Sequence, residues 1–240
     1  MLEVDIASKR FDSSEGVSLE VLRDLSFTCE SNSFTSIVGP SGCGKTTTLR
    51  CILGLDTDFE GTVSTSQLNT GIENISAVFQ EPRLLPWRTV EQNVGLVLNN
   101  PNPPELTSLF TALGLNEHRD FYPNELSLGL ARRVSLARAF SVKPAVLILD
   151  EPFVSLDEET AARQRQLLMK VWSARACTAL MVTHNLSEAI ELSDRILLFS
   201  GSPSSVSGEF TIPIKREHRD RDTIARFKGE ILELQQSLKR

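Results

Sequence analysis

The segment Gly39-Pro-Ser-Gly-Cys-Gly-Lys45-Thr46 restricts the possible folds more than any other part of the chain. It fits the spacing G-x-x-x-x-G-K-[ST], which works only where a buried strand runs into the start of a helix. The flanks supply that context. Phe34 to Val38 (FTSIV) has the apolar character of a buried strand, and Lys45 to Leu53 has that of a helix stopped by Gly54. Glycines let the backbone curl so that successive N–H groups point inward and form a nest for an anion. The helix start aims its positive dipole end at the same point. Lys45 adds a full charge for β- and γ-phosphates, and the Thr46 hydroxyl is a hard oxygen ligand suited to Mg²⁺.

A strand feeding such a loop belongs to a parallel sheet, so a second strand should bring carboxylates to the same sheet edge. Val146-Leu-Ile-Leu-Asp150-Glu151-Pro152 meets this requirement. Its apolar run predicts a strand buried on both faces, ending on two acids. Asp150 is the candidate Mg²⁺ ligand and Glu151 the candidate general base for an attacking water. The alternative, two acids capping the next helix, fits poorly because that helix starts near Asp157. Together the two segments predict a P-loop nucleotide hydrolase.

The rest of the chain is organised around this pair. Leu2, Val4 and Ile6 alternate with acids, and Val17 to Phe27 alternates similarly, predicting strands joined by a turn over 12–16. Strands are also expected over 62–66 and 75–80. Five prolines between 82 and 104 then break the pattern, and this stretch is expected to hold one helix, Glu105 to Leu113. A second helix, about Ser127 to Ser141, carries Leu130, Val134, Ala137 and Ser141 on one face. Residues 82–142 are therefore predicted to form an inserted helical subdomain. Beyond it, strands at 145–149, 178–183 and 195–199 alternate with helices at 158–172 and 186–192. The Ser/Gly/Pro cluster 200–208 is expected as a turn, and a mixed-charge helix over about 219–238 ends the chain. Strand–helix alternation argues for a largely parallel sheet covered on both faces. The predicted class is α/β, a P-loop (RecA-like) core with an N-terminal antiparallel β subdomain. The core would use 1–81 and 143–218 of a single domain spanning 1–240, with 219–240 as the C-terminal helix.

Composition excludes some roles. With 25 Lys+Arg against 31 Asp+Glu the net charge is −6, unlike a protein that grips nucleic acid by counterion release. No run approaches about 18 apolar residues, so any membrane role is expected to be peripheral. Met1 to Arg10 lacks the apolar run of a signal peptide. The four cysteines form no C-x-x-C pair and the three histidines are scattered, which argues against zinc or a disulfide framework.

Further segments carry a resemblance over nearly the whole chain. Gln80 ends a strand, Leu126-Ser-Leu-Gly-Leu130 opens a helix, Ser155-Leu-Asp157 follows the acid pair, and His184 follows an apolar strand. In this order, with 39–46 and 150–151, they resemble the ATP-binding subunit of an ABC transporter. The resemblance implies that ATP and Mg²⁺ are bound, with nucleotide contacts from Gly39, Ser41, Gly42, Cys43, Gly44, Lys45, Thr46 and Thr47. Phe11 would stack on adenine. Thr46, Gln80 and Asp150 would hold the metal, while Glu151, Gln80 and His184 would serve hydrolysis. Asp157 would lie at a dimer interface. Ser127 and Gly129 would meet the γ-phosphate on a second copy, although Ser127 can also cap its own helix. The signature departs from the family's Leu-Ser-Gly-Gly-Gln at Leu128 and Leu130. A positive φ at Leu128 would hinder closure.

Phe79 to Val94, with Leu84, Leu85 and Trp87, resembles importers of nitrate, sulfonate, taurine and similar solutes. The short chain, without room for a C-terminal regulatory domain, agrees with that subgroup. It implies permease subunits as partners, a solute-binding protein acting indirectly, and a place on the cytoplasmic face of the membrane. A soluble assembly ATPase and a slow nucleotide-dependent clamp remain as alternatives.

Overall fold

The computed structural model describes residues 1–12, 18–65, 74–99 and 104–238. Most of the expected 12–16 turn, the end of the 62–66 strand, and Pro101 and Pro103 lie outside these residues. The chain divides into two units, Met1–Glu73 with Thr178–Arg240, and Asn74–Cys177.

The described residues of the first unit include strands of two sheets. In one, β1 (Leu2–Asp12) lies between β2 (Ser18–Cys29) and β4 (Glu60–Thr65), all antiparallel. The alternation in β1 buries Leu2, Val4 and Ile6 on one face and leaves Glu3 and Asp5 exposed on the other, as a sheet with one covered face requires. In the other sheet β3 (Phe34–Val38) is flanked in parallel by β7 (Thr178–Thr183) and β8 (Arg195–Ser200). Every residue of β3 and β7 is buried, the mark of strands covered on both faces. Helices α1 (Lys45–Ile52), α6 (Leu186–Leu192) and α7 (Arg221–Ser237) complete the unit. Val38, Ile190, Ile196, Leu198, Phe227 and Ile231 form one apolar cluster that seats α7.

The expected 200–208 turn is shorter than predicted. β9 (Ser205–Thr211) begins inside it and pairs antiparallel with β8. Its residues are mostly half-buried, so this partly exposed strand lacks the apolar run that would have announced it.

Among its described residues the second unit pairs β5 (Ile75–Val78) in parallel with β6 (Val146–Asp150) and carries four α-helices. These are α2 (Val90–Gly95), α3 (Pro104–Leu113), α4 (Leu128–Ser141) and α5 (Glu158–Ala174). The strand expected over 75–80 stops at Val78, leaving Gln80 beyond it. α2 is an addition to the single helix expected before Ser127. Its residues are too few to show a period, but Thr89 and Gln92 form a capping box at its start. In α4, Val134 and Ala137 are buried as expected, while Leu130 and Ser141 are half-buried. Among the described residues no helix is long and apolar enough to cross a membrane.

Candidate active site

In the first unit, β3 and its neighbours release the functional loops at one sheet edge. Val38 pairs with Thr183, so the chain leaves β3 at Gly39 beside the point where it leaves β7 at His184. Gly39, Pro40, Ser41 and His184 accordingly line one cavity of about 520 Å³, with Phe199 and Gln235 among its other walls.

The 39–46 loop has the backbone that its glycines permit. Gly42 and Gly44 stand at φ 80° and 83°, and Gly44 caps α1. A Cβ on Gly44 would also lie 2.7 Å from Leu22 Cδ2, so this position excludes side chains on two grounds. Lys45 is only 6% exposed. Its Nζ donates to the carbonyls of Gly39 (2.8 Å) and Pro40 (2.7 Å), which folds the cation back over the loop. Cys43 is buried beneath it, whereas Ser41, Gly42 and Thr46 are exposed and Thr47 is half-exposed. The loop therefore exposes Ser41, Gly42 and Thr46 and keeps the Lys45 ammonium bonded to its own carbonyls.

His184 is exposed on a turn built by its neighbours. Thr183 Oγ1 accepts from Asn185 N (3.0 Å) and donates to Glu188 Oε2 (2.9 Å). Asn185 Oδ1 accepts from Ser187 N and Glu188 N to start α6. Phe11, near the end of β1, is 44% exposed, with the Lys9 ammonium 4.6 Å from its ring centroid. An exposed aromatic face of this kind can stack on a base.

In the second unit, Val78 pairs with Leu149, so Gln80 and the Asp150–Glu151 pair also leave their strands at a common edge. Asp150 is the last residue of β6. Glu151 has φ 43° and Ser155 φ 62°, a left-handed path that turns the chain sharply away from the strand direction. Such backbone in non-glycine residues costs free energy and concentrates at functional sites. Asp157 caps α5 by accepting from Thr160 N (2.9 Å), and this hydrogen bonding holds its carboxyl below the usual range.

Ser127 caps α4 by accepting from Leu130 N at 3.2 Å, yet it remains exposed, as does Leu128. Leu128 is the first residue of α4 and is not among the positive-φ residues, so the obstacle anticipated there is absent.

The segment between Gln80 and α2 is tightly built. Fully buried Asn93 accepts from Leu85 N (2.8 Å) and directs its amide at the carbonyls of Leu85, Arg88 and Thr89. Arg138, on α4, donates to the carbonyls of Arg83 (2.9 Å) and Pro82 (3.0 Å). Arg83 itself has φ 47° and stacks its guanidinium 4.2 Å from the Phe79 centroid. On this frame Trp87 is 68% exposed while Leu84 and Leu85 are half-buried. Asn93 lies inside the Phe79 to Val94 segment, whose resemblance gives it no role of its own, and Arg138 belongs to no motif. Only the capping box beside Asn93 hints at an ordered loop.

The profile of the ABC transporter family matches residues 22–154. The aliphatic sulfonates import ATP-binding protein SsuB 2 of Pseudomonas syringae pv. tomato is 39% identical over 88% of this chain and 90% of that protein. SsuB of Bacillus thuringiensis subsp. konkukian is 35% identical over 85% and 83%. Among solved structures, the ATP-binding cassette MJ0796, in a dimeric post-hydrolysis state bound to ADP and Pi, superposes with a TM-score of 0.76. It is 26% identical and covers 90% of this chain and 100% of its own. The chain belongs to the ABC transporter family, within which it is an ATP-binding subunit that couples ATP hydrolysis to transport.

Proposed function

We propose that this chain energises the import of a small sulfonate-type solute, working as a pair beneath two permease subunits on the cytoplasmic face of the membrane. The observation that supports this best is 35–40% identity, over most of both chains, to relatives that are sulfonate import subunits. The solute itself would be selected by the permease and a solute-binding protein outside the membrane. Residues 1–81 and 143–218 would form the nucleotide core, 82–142 the helical subdomain and 219–240 the C-terminal helix.

Each residue's part follows from its chemistry. The N–H groups of Ser41 to Thr47 and the Lys45 ammonium would bind the β- and γ-phosphates, and Phe11 would stack on adenine. Glu151 would take the proton of a water as its oxygen bonds to the γ-phosphorus and the bond to the ADP oxygen breaks. Gln80 would orient that water, and His184 would donate to a γ-phosphate oxygen. Ser127 and Gly129 would complete the site of a second copy, with Asp157 at the interface. Thr46, Gln80 and Asp150 offer hydroxyl, amide and carboxylate oxygens, the hard donors that Mg²⁺ prefers when phosphates and water supply its remaining ligands. When bound, Mg²⁺ would neutralise charge on the β- and γ-oxygens. The exposed Trp87 would dock a permease helix.

The test has two arms. Glu151→Gln, sedimented with and without ATP, should pair only with ATP, and Lys45→Ala should not pair. A chain that stays monomeric with ATP, alone and with its permease, would refute the shared site. Washed membranes should retain the chain together with a hydrophobic permease, and reconstituted vesicles should take up an alkanesulfonate only with ATP. Recovery in the soluble fraction alone would favour a soluble assembly ATPase instead.

A further inference from the structure

The signature segment lacks the glutamine amide that its family carries, since Leu130 stands in that place. The structure brings a different amide to the same backbone. Gln164, on α5, is 2% exposed, and its Nε2 donates to the Gly129 carbonyl at 3.2 Å. This neighbour leaves little room for a side chain on Gly129. A Cβ there would lie 3.3 Å from Gln164 Nε2 and 3.6 Å from Thr160 Cγ2, tighter at the amide than ordinary van der Waals contact.

Burial alone does not explain a glutamine at this position. Its Oε1 is buried and finds no hydrogen-bond donor among the described residues. An apolar side chain of the same length would fill the space without leaving an acceptor unsatisfied. What the amide adds is direction, because a donor fixed on α5 holds the first turn of α4 at one height and rotation. The same helix begins at Asp157, so the bond ties the start of α4 to the element that Asp157 caps. A second tie runs in parallel, as Arg132 of α4 donates to the Val154 carbonyl.

We infer that Gln164 is a positioning residue for the signature segment, its amide bracing the start of α4 from α5. This rests on the proposal that Ser127 and Gly129 act on the nucleotide of a second copy. Gln164 touches no nucleotide under that reading. It sets where Ser127 and the Gly129 N–H stand.

The experiment compares Gln164→Met, which keeps length and removes the amide, with Gln164→Asn, which keeps the amide but cannot reach, and with Ser127→Ala. ATP-driven pairing is measured on the full chain with Glu151→Gln, turnover in the assembled transporter with Glu151 present, and thermal unfolding on all. Loss of one hydrogen bond felt on pairing corresponds to about a two- to thirteenfold effect. Both Gln164 variants should weaken pairing and turnover by that factor. ATP affinity of the unpaired chain should not change, and Gln164→Met should melt no lower than the parent. Normal pairing in the Gln164 variants, with weakened pairing in Ser127→Ala, would overturn the role of Gln164 and leave the shared site standing. Normal pairing in all three would overturn both. Weaker pairing that tracks a lower melting temperature in Gln164→Met would reduce Gln164 to a packing residue and overturn the proposal.

Discussion

Replacing Asn93 by alanine should unfasten the loop that presents Trp87 without touching either the nucleotide segments or Trp87 itself. Asn93 is fully buried, accepts one hydrogen bond from Leu85 N and shares two N–H donors among three carbonyls. Counting three net bonds at about 1 kcal/mol each gives about 3 kcal/mol. Water reaching the partly buried loop would return some of this, so about 2–3 kcal/mol is expected. Asn93→Asp tests the direction of the bonds. It keeps the acceptor for Leu85 N but turns a second oxygen toward three carbonyl oxygens, so it should be no better than alanine. Because the chain has two units, a single global unfolding curve is a blunt probe. Hydrogen exchange at the Leu85 amide, measured beside urea unfolding, reports the loop directly. Its protection should fall by one to two orders of magnitude in both variants, and assembly with the permease should weaken while ATP affinity persists. If Leu85 stays as protected as in the parent and stability falls by less than about 0.5 kcal/mol, Asn93 does not build the loop.

Three further outcomes are expected. Trp87→Ala should leave stability and ATP binding by the isolated chain within error, because the ring is mostly solvated. It should nevertheless weaken assembly with the permease by about 2 kcal/mol, as lost aromatic anchors do, and loss of ATP binding with intact assembly would place Trp87 in a structural role. Leu128→Gly with Leu130→Gln in the assembled transporter should raise turnover modestly, by at most about tenfold; a rise of several thousandfold would make the natural chain a near-inactive clamp. The Lys9–Asp56 pair should give the first unit a distinct pH response. The hydrogen bond from Lys9 holds the Asp56 carboxyl below its usual range. Burial opposes the charge on Lys9, but the hydrogen bonds and charges of Asp56 and Asp58 outweigh it and raise its pKa. The Asp56 contribution is therefore present above about pH 3.9 and lost as pH falls through the lower folded value. The Lys9 contribution is complete below about pH 10.4 and lost as pH rises through the higher folded value. Urea midpoints against pH should show both limbs in the parent and shallower ones in Lys9→Met, where other groups still hold Asp56 down, and a Lys9→Met profile parallel to the parent at both extremes would remove the pair from the account.

The sequence by itself determined whatever depends on neighbours along the chain. The alternation of Leu2, Val4 and Ile6 identifies β1, the apolar runs before Gly39 and Glu151 identify β3 and β6, and the glycine spacing of 39–46 identifies the nest, because each is a local backbone property. The same locality places Ser127 and Asp157 at helix starts, since a capping hydrogen bond spans only three residues. Tertiary structure decided the rest. β9 is a strand only because β8 offers it an edge to pair with, and its own residues carry too weak a pattern to show it. α2 is too short to have a period. Arg138 and Gln164 have no motif to mark them, and the 79–94 segment gives no role to Asn93, because their partners lie 55, 35 and 8 residues away. A side-chain hydrogen bond over that separation exists only once packing has placed donor and acceptor within reach, and no pattern of adjacent residues encodes that distance.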